Sequence, residues 1–495
     1  MRGRGLILAA PASGSGKTLL TAGLLRALRD RGVRVAAAKA GPDYIDPTFH
    51  AAASGGACIN LDVWAMRPAT LAGLVGALEA DADIVLCEGV MGLFDGTGPD
   101  SETGSTAALA KSTGWPVVLV VDARGQGASA AALVAGFAQH DPGLPLAGVI
   151  FNRVAGARHR AVLEAAMARH LPDIPCLGAL PQNPALVLPE RHLGLVPARE
   201  AMAAASIIAL AAQAVAASID LDRLVALARR SGLAGGGQMA PLPGRSHFQA
   251  LPLDGGGLGG SDRADRMTFV APSLPPRPSP IEGEGVGAPN AVAVALPPLG
   301  RRIAIARDDA FLFAYPSVLD GWCRQGAELS FFSPLADETP EVAANAIYLP
   351  GGYPELHAGR LAAAEKFLSA LRRAAAEGAA IYGECGGYMV LGDTLTDADG
   401  HTHRMAGLLP LATSFAERRL HLGYRAATLV AAGPLGPEGA RFRGHEFHYA
   451  TTLSVGAAQP LFALADASGA DLGVSGLRNG NVAGSFIHLI DRAPD

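Results

Sequence analysis

The sequence predicts two α/β domains joined by a loose connector, and three observations carry that prediction. Short apolar runs alternate with helix-periodic stretches from Gly5 to about residue 200. A proline- and glycine-rich stretch then interrupts the pattern, and alternation resumes at Arg302 and runs towards the end. A chain of 495 residues exceeds one ordinary core. The expected division is 1–235 for the first domain, 236–300 for a linker or insertion, and 301–495 for the second domain.

In the first domain the strand-like runs are Gly5–Ala10, Val33–Lys39, Ile84–Glu88, Val117–Asp122 and Leu146–Asn152. Between them Thr18–Arg29, Thr70–Leu78 and Ala128–Gln139 carry apolar residues at helical spacing. Such alternation builds a parallel sheet covered by helices, because each parallel crossover needs a helix's length of chain. Eight prolines fall between Pro272 and Pro298, with the glycine-rich run Gly255–Gly260 upstream. That composition buries too little apolar surface to offset the entropy of ordering it. In the second domain strands are expected at Arg302–Ala306 and near Ala346–Leu349, Ala379–Gly383 and Val482–Ile487.

With 49% hydrophobic and 17% charged residues the chain reads as globular, and a net charge of -5 offers no basic footprint for nucleic acid. Cys58, Cys87, Cys176, Cys323 and Cys385 form no CxxC pair; a scattered odd set fits a reducing cytoplasm better than a disulfide framework. The apolar run after Met1–Arg4 leads straight into a phosphate-loop pattern rather than a cleavage site. Ala201–Ala217 contains Gln213 and is bounded by Glu200 and Asp220, so it is expected as a packed helix and not a membrane span. The expected location is the cytoplasm.

Pro11-Ala12-Ser13-Gly14-Ser15-Gly16-Lys17-Thr18 follows the first strand and opens the first long helix. Glycines let backbone N–H groups close around phosphates, and the helix N-terminus adds partial positive charge. Gly14, Ser15, Gly16, Lys17 and Thr18 are therefore the expected ATP-binding residues, with Lys17 on the β- and γ-phosphates and Thr18 on Mg²⁺. Pro11 stands where the strict pattern has glycine, so the loop is a variant. Two acidic clusters follow strands, one around Asp43 and Asp46, the other from Glu88 to Asp95. Mg²⁺ takes one or two carboxylates beside phosphate oxygens and water, which Asp43 and Glu88 together with Thr18 supply.

Ala380-Ile381-Tyr382-Gly383-Glu384-Cys385-Gly386-Gly387-Tyr388 reads as strand, tight glycine turn and helix, a nucleophile elbow with cysteine in place of serine. The turn exposes the sulfur and the helix N-terminus favours its thiolate. A thiol nucleophile needs a base and an oxyanion hole. The amides of Gly352 and Gly386 are the candidates for the hole. His488 is the candidate base, with His445 and His448 as rivals.

The runs Gly41–His50 (GPDYIDPTFH), Asn60–Trp64 (NLDVW), Glu88–Gly96 (EGVMGLFDG) and Leu188–Leu195 (LPERHLGL) resemble the cobyrinic acid a,c-diamide synthase family. That family sits among dethiobiotin synthetase-like and cobyric acid synthase-like ATPases. The resemblance implies that a P-loop domain of dethiobiotin synthetase type activates a corrinoid carboxylate as an acyl phosphate, which ammonia attacks. It ties Asp43, Glu88 and Asp95 to Mg²⁺ and phosphoryl chemistry and puts Tyr44 and Ile45 near the tetrapyrrole. Arg191 and His192 could meet the anionic substrate or the nucleotide.

Residues 302–488, with ARDDAFLFAYP (Ala306–Pro316), FFSPLAD (Phe331–Asp337) and LPGGYPE (Leu349–Glu355), resemble a class I, triad-type glutaminase of the same subtype. This implies Cys385 as nucleophile and His488 as the group that activates it. Many class I glutaminases carry Glu two residues after the histidine; Ile490 stands there, so slower or activation-dependent glutamine turnover is expected. The implied reaction is ATP- and glutamine-dependent amidation of corrinoid carboxylates in cobalamin biosynthesis, with a homodimer as the expected assembly. Related alternatives are cobyric acid synthase and a nickel-sirohydrochlorin diamide synthase. From another class, a partition-type regulatory ATPase would carry an extra lysine early in the loop, where Ala10 and Pro11 stand.

Overall fold

The protein's structure is a computed structural model that describes residues 3–98, 103–186, 197–233 and 296–494. In its first half, β1 (Arg4–Ala9), β2 (Val35–Ala40), β3 (Cys58–Leu61), β4 (Ile84–Glu88), β5 (Val117–Asp122), β6 (Leu146–Val154) and β7 (Cys176–Pro181) form one sheet in the order β3-β2-β4-β1-β5-β6-β7. Every neighbouring pair is parallel. The central strands are apolar along their whole length because helices cover both faces; Val117–Val121 are all buried. Those helices are α1 (Lys17–Asp30), α2 (Asp46–Ser54), α3 (Pro68–Asp81), α4 (Thr106–Thr113), α5 (Ser129–His140), α6 (Ala157–His170), α7 (Pro197–Ser218) and α8 (Leu221–Leu227).

Two strands, β3 and β7, escaped the sequence pattern. The first is only Cys-Ile-Asn-Leu, and its Asn60 is a buried staple whose Nδ2 donates to the carbonyls of Gly41 (2.9 Å) and Asp43 (2.8 Å). In β7 the alternation is broken by Gly178, which adopts φ +147°. The alanine-rich stretch is helical as expected, and Ile208, Ala211, Ala212 and Val215 of α7 lie in the core beside Leu20 and Leu24 of α1. Among the described residues no helix is long and apolar enough to cross a membrane.

The second half starts as a parallel sheet: β8 (Arg302–Ala306), β9 (Glu328–Phe332), β10 (Ala346–Leu349) and β11 (Ala380–Glu384), with α9 (Pro316–Arg324), α10 (Ala358–Ala362), α11 (Glu365–Ala376) and α12 (Gly386–Leu391) between and after them. Beyond α12 the expected strand–helix alternation gives way to strands alone among the described residues. β12 (Thr394–Thr396), β13 (Thr402–Arg404), β14 (Leu411–Ser414) and β17 (Thr451–Val455) make a small sheet. β15 (His421–Leu429), β16 (Arg441–His448), β18 (Gln459–Ala465), β19 (Asp471–Asn479), β20 (Val482–Ser485) and β21 (Ile487–Arg492) extend the large one. The reason is local turn chemistry: Asn479 pairs with Val482 around Gly480 (φ +60°), a two-residue hairpin with glycine at its first central position. Antiparallel neighbours joined in this way need no crossover helix.

The large sheet runs β21-β16-β15-β18-β19-β20-β11-β10-β8-β9. Since β21 continues β20 after a single residue, Phe486, the antiparallel ribbon returns to its own start and lays β16 alongside the end of β11. The connector expected over 236–300 lies outside the described residues up to 295. Its last stretch is packed rather than loose, with Leu296 and Leu299 buried and Gln325 Nε2 donating to the Leu296 carbonyl at 2.7 Å.

One hydrophobic cluster continues from the first sheet into the second. Polar ties reinforce it. Arg67 meets the fully buried carboxylate of Asp491 through both its backbone N–H (2.9 Å) and Nη2 (2.9 Å), and the Tyr424 hydroxyl donates to Asp62 at 2.7 Å. The Tyr315 hydroxyl donates to the Pro42 carbonyl at 3.0 Å, and the Arg443 guanidinium lies 4.7 Å from the centre of the Trp64 ring.

Candidate active sites

The first site lies where β1, β4 and β2 end, at the carboxyl edge of the parallel sheet where ligands bind in such folds. Gly16, at φ +89°, turns the chain into α1 so that the loop amides face one point. Lys17 is buried, and its Nζ donates to the Met91 carbonyl at 2.6 Å. Burial lowers the Lys17 ammonium's pKa and Glu88 pulls it back up. Met91 itself holds φ +47° while half exposed, a strained backbone that aims its carbonyl at the lysine. Thr18 Oγ1 donates to Glu88 Oε1 at 2.9 Å. Asn152 Nδ2 and Arg153 Nη1 donate to the carbonyls of Ser15 (2.9 Å) and Gly14 (2.7 Å), tying the end of β6 to the loop.

Glu88 is held in a buried charge network absent from the expected residue set. Lys39 Nζ lies 3.1 Å from Glu88 Oε1, 2.6 Å from Asp46 Oδ2 and 3.7 Å from Asp43 Oδ2, and His50 Nε2 meets Glu88 Oε2. Burial alone would neutralise these groups, but Lys39 holds Glu88 below the usual carboxylate range and Asp46 at about 2. The three carboxylates in turn keep Lys39 charged. Asp43 is pushed up to about 6 by burial and by Asp46, and its Oδ1 accepts the Ile45 N–H at 2.7 Å. Lys39, Asp46 and His50 all stand in or just before the GPDYIDPTFH run; only their mutual contacts, made across β2, α2 and β4, reveal their job. Asp95 accepts the Gly92 N–H at 2.8 Å, so it shapes the loop that carries Met91.

The second site is built at the end of β11. Cys385 adopts φ +48° and ψ -102°, the strained geometry of an elbow, and its N–H donates to the Ser485 carbonyl at 2.8 Å. Its Sγ donates to the Phe447 carbonyl on β16 at 3.7 Å. Burial, and then Glu355, raise the thiol pKa well above its ordinary value. The Gly352 amide lies beside Gly386, 3.0 Å from where a Cβ on that residue would stand, so the two expected oxyanion donors are adjacent.

His488 is buried next to the same glycine turn: a Cβ on Gly351 would collide with its ring. Neither ring nitrogen has a hydrogen-bond partner among the described residues, and burial together with His445 and His448 pushes its pKa down to about 3. It is therefore a neutral imidazole able to accept a proton. Its Nδ1 lies 3.9 Å from Glu384 Oε2. Glu384 is pushed up to about 7 by burial and is held by the Tyr348 hydroxyl (2.7 Å) and the Leu489 N–H (3.1 Å). The residue just before the nucleophile thus places a carboxyl within 3.9 Å of the histidine ring, a contact that no spacing rule pointed to. Of the rivals, His448 is committed to the Ala450 carbonyl (3.1 Å) and Glu446 (3.1 Å), and His445 sits behind His488 as its cross-strand neighbour.

Tyr44 is buried between the two sites. Its ring centre lies 4.4 Å from that of His488, 5.0 Å from Tyr315 and 5.3 Å from Phe313. Ile45 is half-buried in the following turn. Arg191, His192 and the LPERHLGL run lie outside the described residues.

A phosphate-binding parallel domain locked to a domain with a cysteine elbow, a buried histidine and paired glycine amides defines an ATP-dependent, glutamine-hydrolysing amidotransferase. Residues 6–196 match the model of the CobQ/CobB/MinD/ParA nucleotide binding domain, and residues 302–494 that of the CobB/CobQ-like glutamine amidotransferase domain. Over 489 residues the chain is 50% identical to the hydrogenobyrinate a,c-diamide synthase of Brucella suis biovar 1, covering 99% of this chain and 98% of that one. It is 48% identical to the same enzyme of Rhizobium meliloti over 491 residues (98% and 99%) and of Rhodobacter capsulatus over 490 residues (98% of each). The chain belongs to the hydrogenobyrinate a,c-diamide synthase family. A partition-type ATPase shares only the first domain's model and not the full-length match.

Proposed function

We propose that the chain amidates the a and c carboxylates of hydrogenobyrinate, the cobalt-free ring, in the cytoplasm. The observation that carries the coupling of the two activities is the Gly41–Ile45 turn, whose Asp43 belongs to the charge network at the phosphate loop while the next residue, Tyr44, packs on His488. One short turn therefore touches both centres. The choice of ring is supported by the relatives' printed names, and the homodimer by family resemblance.

In the second site the Cys385 sulfur attacks the side-chain amide carbon of glutamine and its proton passes to His488 Nε2. The oxygen gains negative charge against the Gly352 and Gly386 amides. Collapse expels ammonia, which takes the proton from His488, and water then hydrolyses the thioester to glutamate. Glu384, 3.9 Å from Nδ1, stabilises the protonated ring by its charge when ionised. In the first site the loop amides and Lys17 hold the triphosphate while a substrate carboxylate oxygen takes the γ-phosphoryl group and ADP leaves. Ammonia attacks the acyl phosphate and expels phosphate. The buried interface between the sites excludes bulk water, in which ammonia would be protonated.

Mg²⁺ fits the residues present: Thr18 and Glu88 already converge, Glu88 is ionised, and Asp43 stands across Lys39 from it. When bound, it neutralises charge on the phosphates. The test is to incubate the protein with MgATP, glutamine and either the cobalt-free or the cobalt-containing acid, and to count amides by mass spectrometry. Two amides on the cobalt-free acid are expected. No amide, or amides on the cobalt ring alone, overturns the assignment.

A further inference from the structure

Glu355 has no part in the chemistry above, yet it is buried against the nucleophile's turn. It lies in the short helical turn Pro354–His357, three residues after Gly352. It is 7% exposed, and its Oε2 has no hydrogen-bond partner among the described residues. Pro354 Cδ stands 2.9 Å from the point a Cβ on Gly386 would occupy, so the turn lies directly on the residue after Cys385. A carboxyl oxygen buried without a partner weakens a fold, so packing gives no reason for it. Burial pushes it up to about 8, and the cation that opposes this shift is Arg418. Arg418 lies in the exposed stretch 416–420 between β14 and β15 and makes no hydrogen bond or ion pair with the described residues; the N–H of the next residue, Arg419, donates to the Tyr449 carbonyl at 3.1 Å, two residues beyond the Phe447 whose carbonyl accepts from Cys385 Sγ.

A buried carboxyl with an unpartnered oxygen and an exposed cation without a hydrogen-bonded anion, both near the nucleophile's turn, match a ligand that carries both charges. We propose that Glu355 and Arg418 grip the amino-acid end of glutamine, the Glu355 carboxylate accepting hydrogen bonds from the α-ammonium and the Arg418 guanidinium holding the α-carboxylate. One turn then sets both ends of the substrate: the Gly352 amide at the reacting carbonyl and, three residues on, the acid at the α-ammonium. This reach suits a side chain whose amide carbon is three bonds from Cα. Charged donors and acceptors at such a site give strong, directional bonds. A site built to bind a polar group also rejects analogues that lack it, because its own groups are then left unpaired.

The inference rests on Cys385 as the glutaminase nucleophile and is tested on the full-length enzyme. In wild type, 4-carbamoylbutanoate, which is glutamine without its α-amino group, is hydrolysed with kcat/KM at least about 100-fold below glutamine. Glu355→Gln lowers kcat/KM for glutamine about 100-fold, mainly through KM, while 4-carbamoylbutanoate hydrolysis and ammonium-driven amidation hold. Arg418→Ala, an exposed change that leaves folding intact, raises the glutamine KM about tenfold, and Arg418→Lys restores part of it. An unchanged glutamine KM in both variants overturns the proposal, as does an equal loss for glutamine and its amine-free analogue. If Glu355→Gln does not fold, the Arg418 pair decides alone. Glutamine hydrolysis that survives Cys385→Ala overturns the underlying nucleophile assignment as well; an inactive Cys385→Ala with unchanged KM in the other variants overturns the grip alone.

Discussion

The two centres solve the problem of buried charge in opposite ways. At the phosphate loop Lys39 pairs with Glu88 and Asp46, and His50 Nε2 meets Glu88, so the lysine and these two carboxylates are held in their charged forms. At the elbow Cys385, Glu384, Glu355 and His488 are buried too, but burial has driven each towards its neutral form. Cys385 donates to a backbone carbonyl, and no hydrogen bond joins it to His488 among the described residues. One site holds its charges in pairs; the other holds its groups closer to their neutral forms.

Removing one catalytic group from each centre gives the largest effects. Lys17→Ala is expected to cut amidation about 10³-fold while glutamine hydrolysis persists. Cys385→Ala should abolish glutamine-dependent amidation and leave the ammonium-driven reaction. Loss of both nitrogen sources in the cysteine variant would break the picture of separable centres.

The next effect is on stability. Lys39→Met leaves Glu88 and Asp46 buried without their cation and should cost about 3–5 kcal/mol, read by urea unfolding at neutral pH. A cost below about 1 kcal/mol would mean that the network is not worth what its burial implies.

The contrast also sets the pH dependence. Asp46 is depressed from 3.8 to about 2, so its contribution is in place above 3.8 and is lost as pH falls through about 2. Glu384 is raised from 4.5 to about 7, so the native state holds a proton that the unfolded chain releases, and stability falls as pH rises from 4.5 to about 7. Glu384→Gln should therefore flatten the urea midpoint between pH 5 and 8 and lower glutaminase kcat about 10–100-fold. An unchanged pH slope would show that the carboxyl is ionised throughout.

The smallest effect tests the interface. Tyr44→Phe removes a buried hydroxyl that has no hydrogen-bond partner, and should leave stability within about 1 kcal/mol of wild type, with glutamine turnover unchanged. Tyr44→Ala should uncouple glutamine hydrolysis from stimulation by MgATP and the acid substrate. Coupling retained in Tyr44→Ala would place the communication elsewhere.

By itself the sequence determined the two-domain α/β plan, the parallel order of strand and helix in the first half, the phosphate loop at Gly14–Thr18 and the elbow at Cys385. These are local features, in which periodicity, glycine placement and a few adjacent residues dictate backbone geometry. Short or glycine-broken strands such as β3 and β7 gave too little pattern to read, and the antiparallel end of the second domain depended on hairpins that strand–helix counting overlooked. Only the tertiary structure decided that Lys39, Asp46 and His50 surround Glu88, that the Glu384 carboxyl lies 3.9 Å from His488, and that Tyr44 packs at the interface. Each of those roles is a through-space contact between elements distant in the chain, and the energy of a buried charge depends on which partner the fold places beside it.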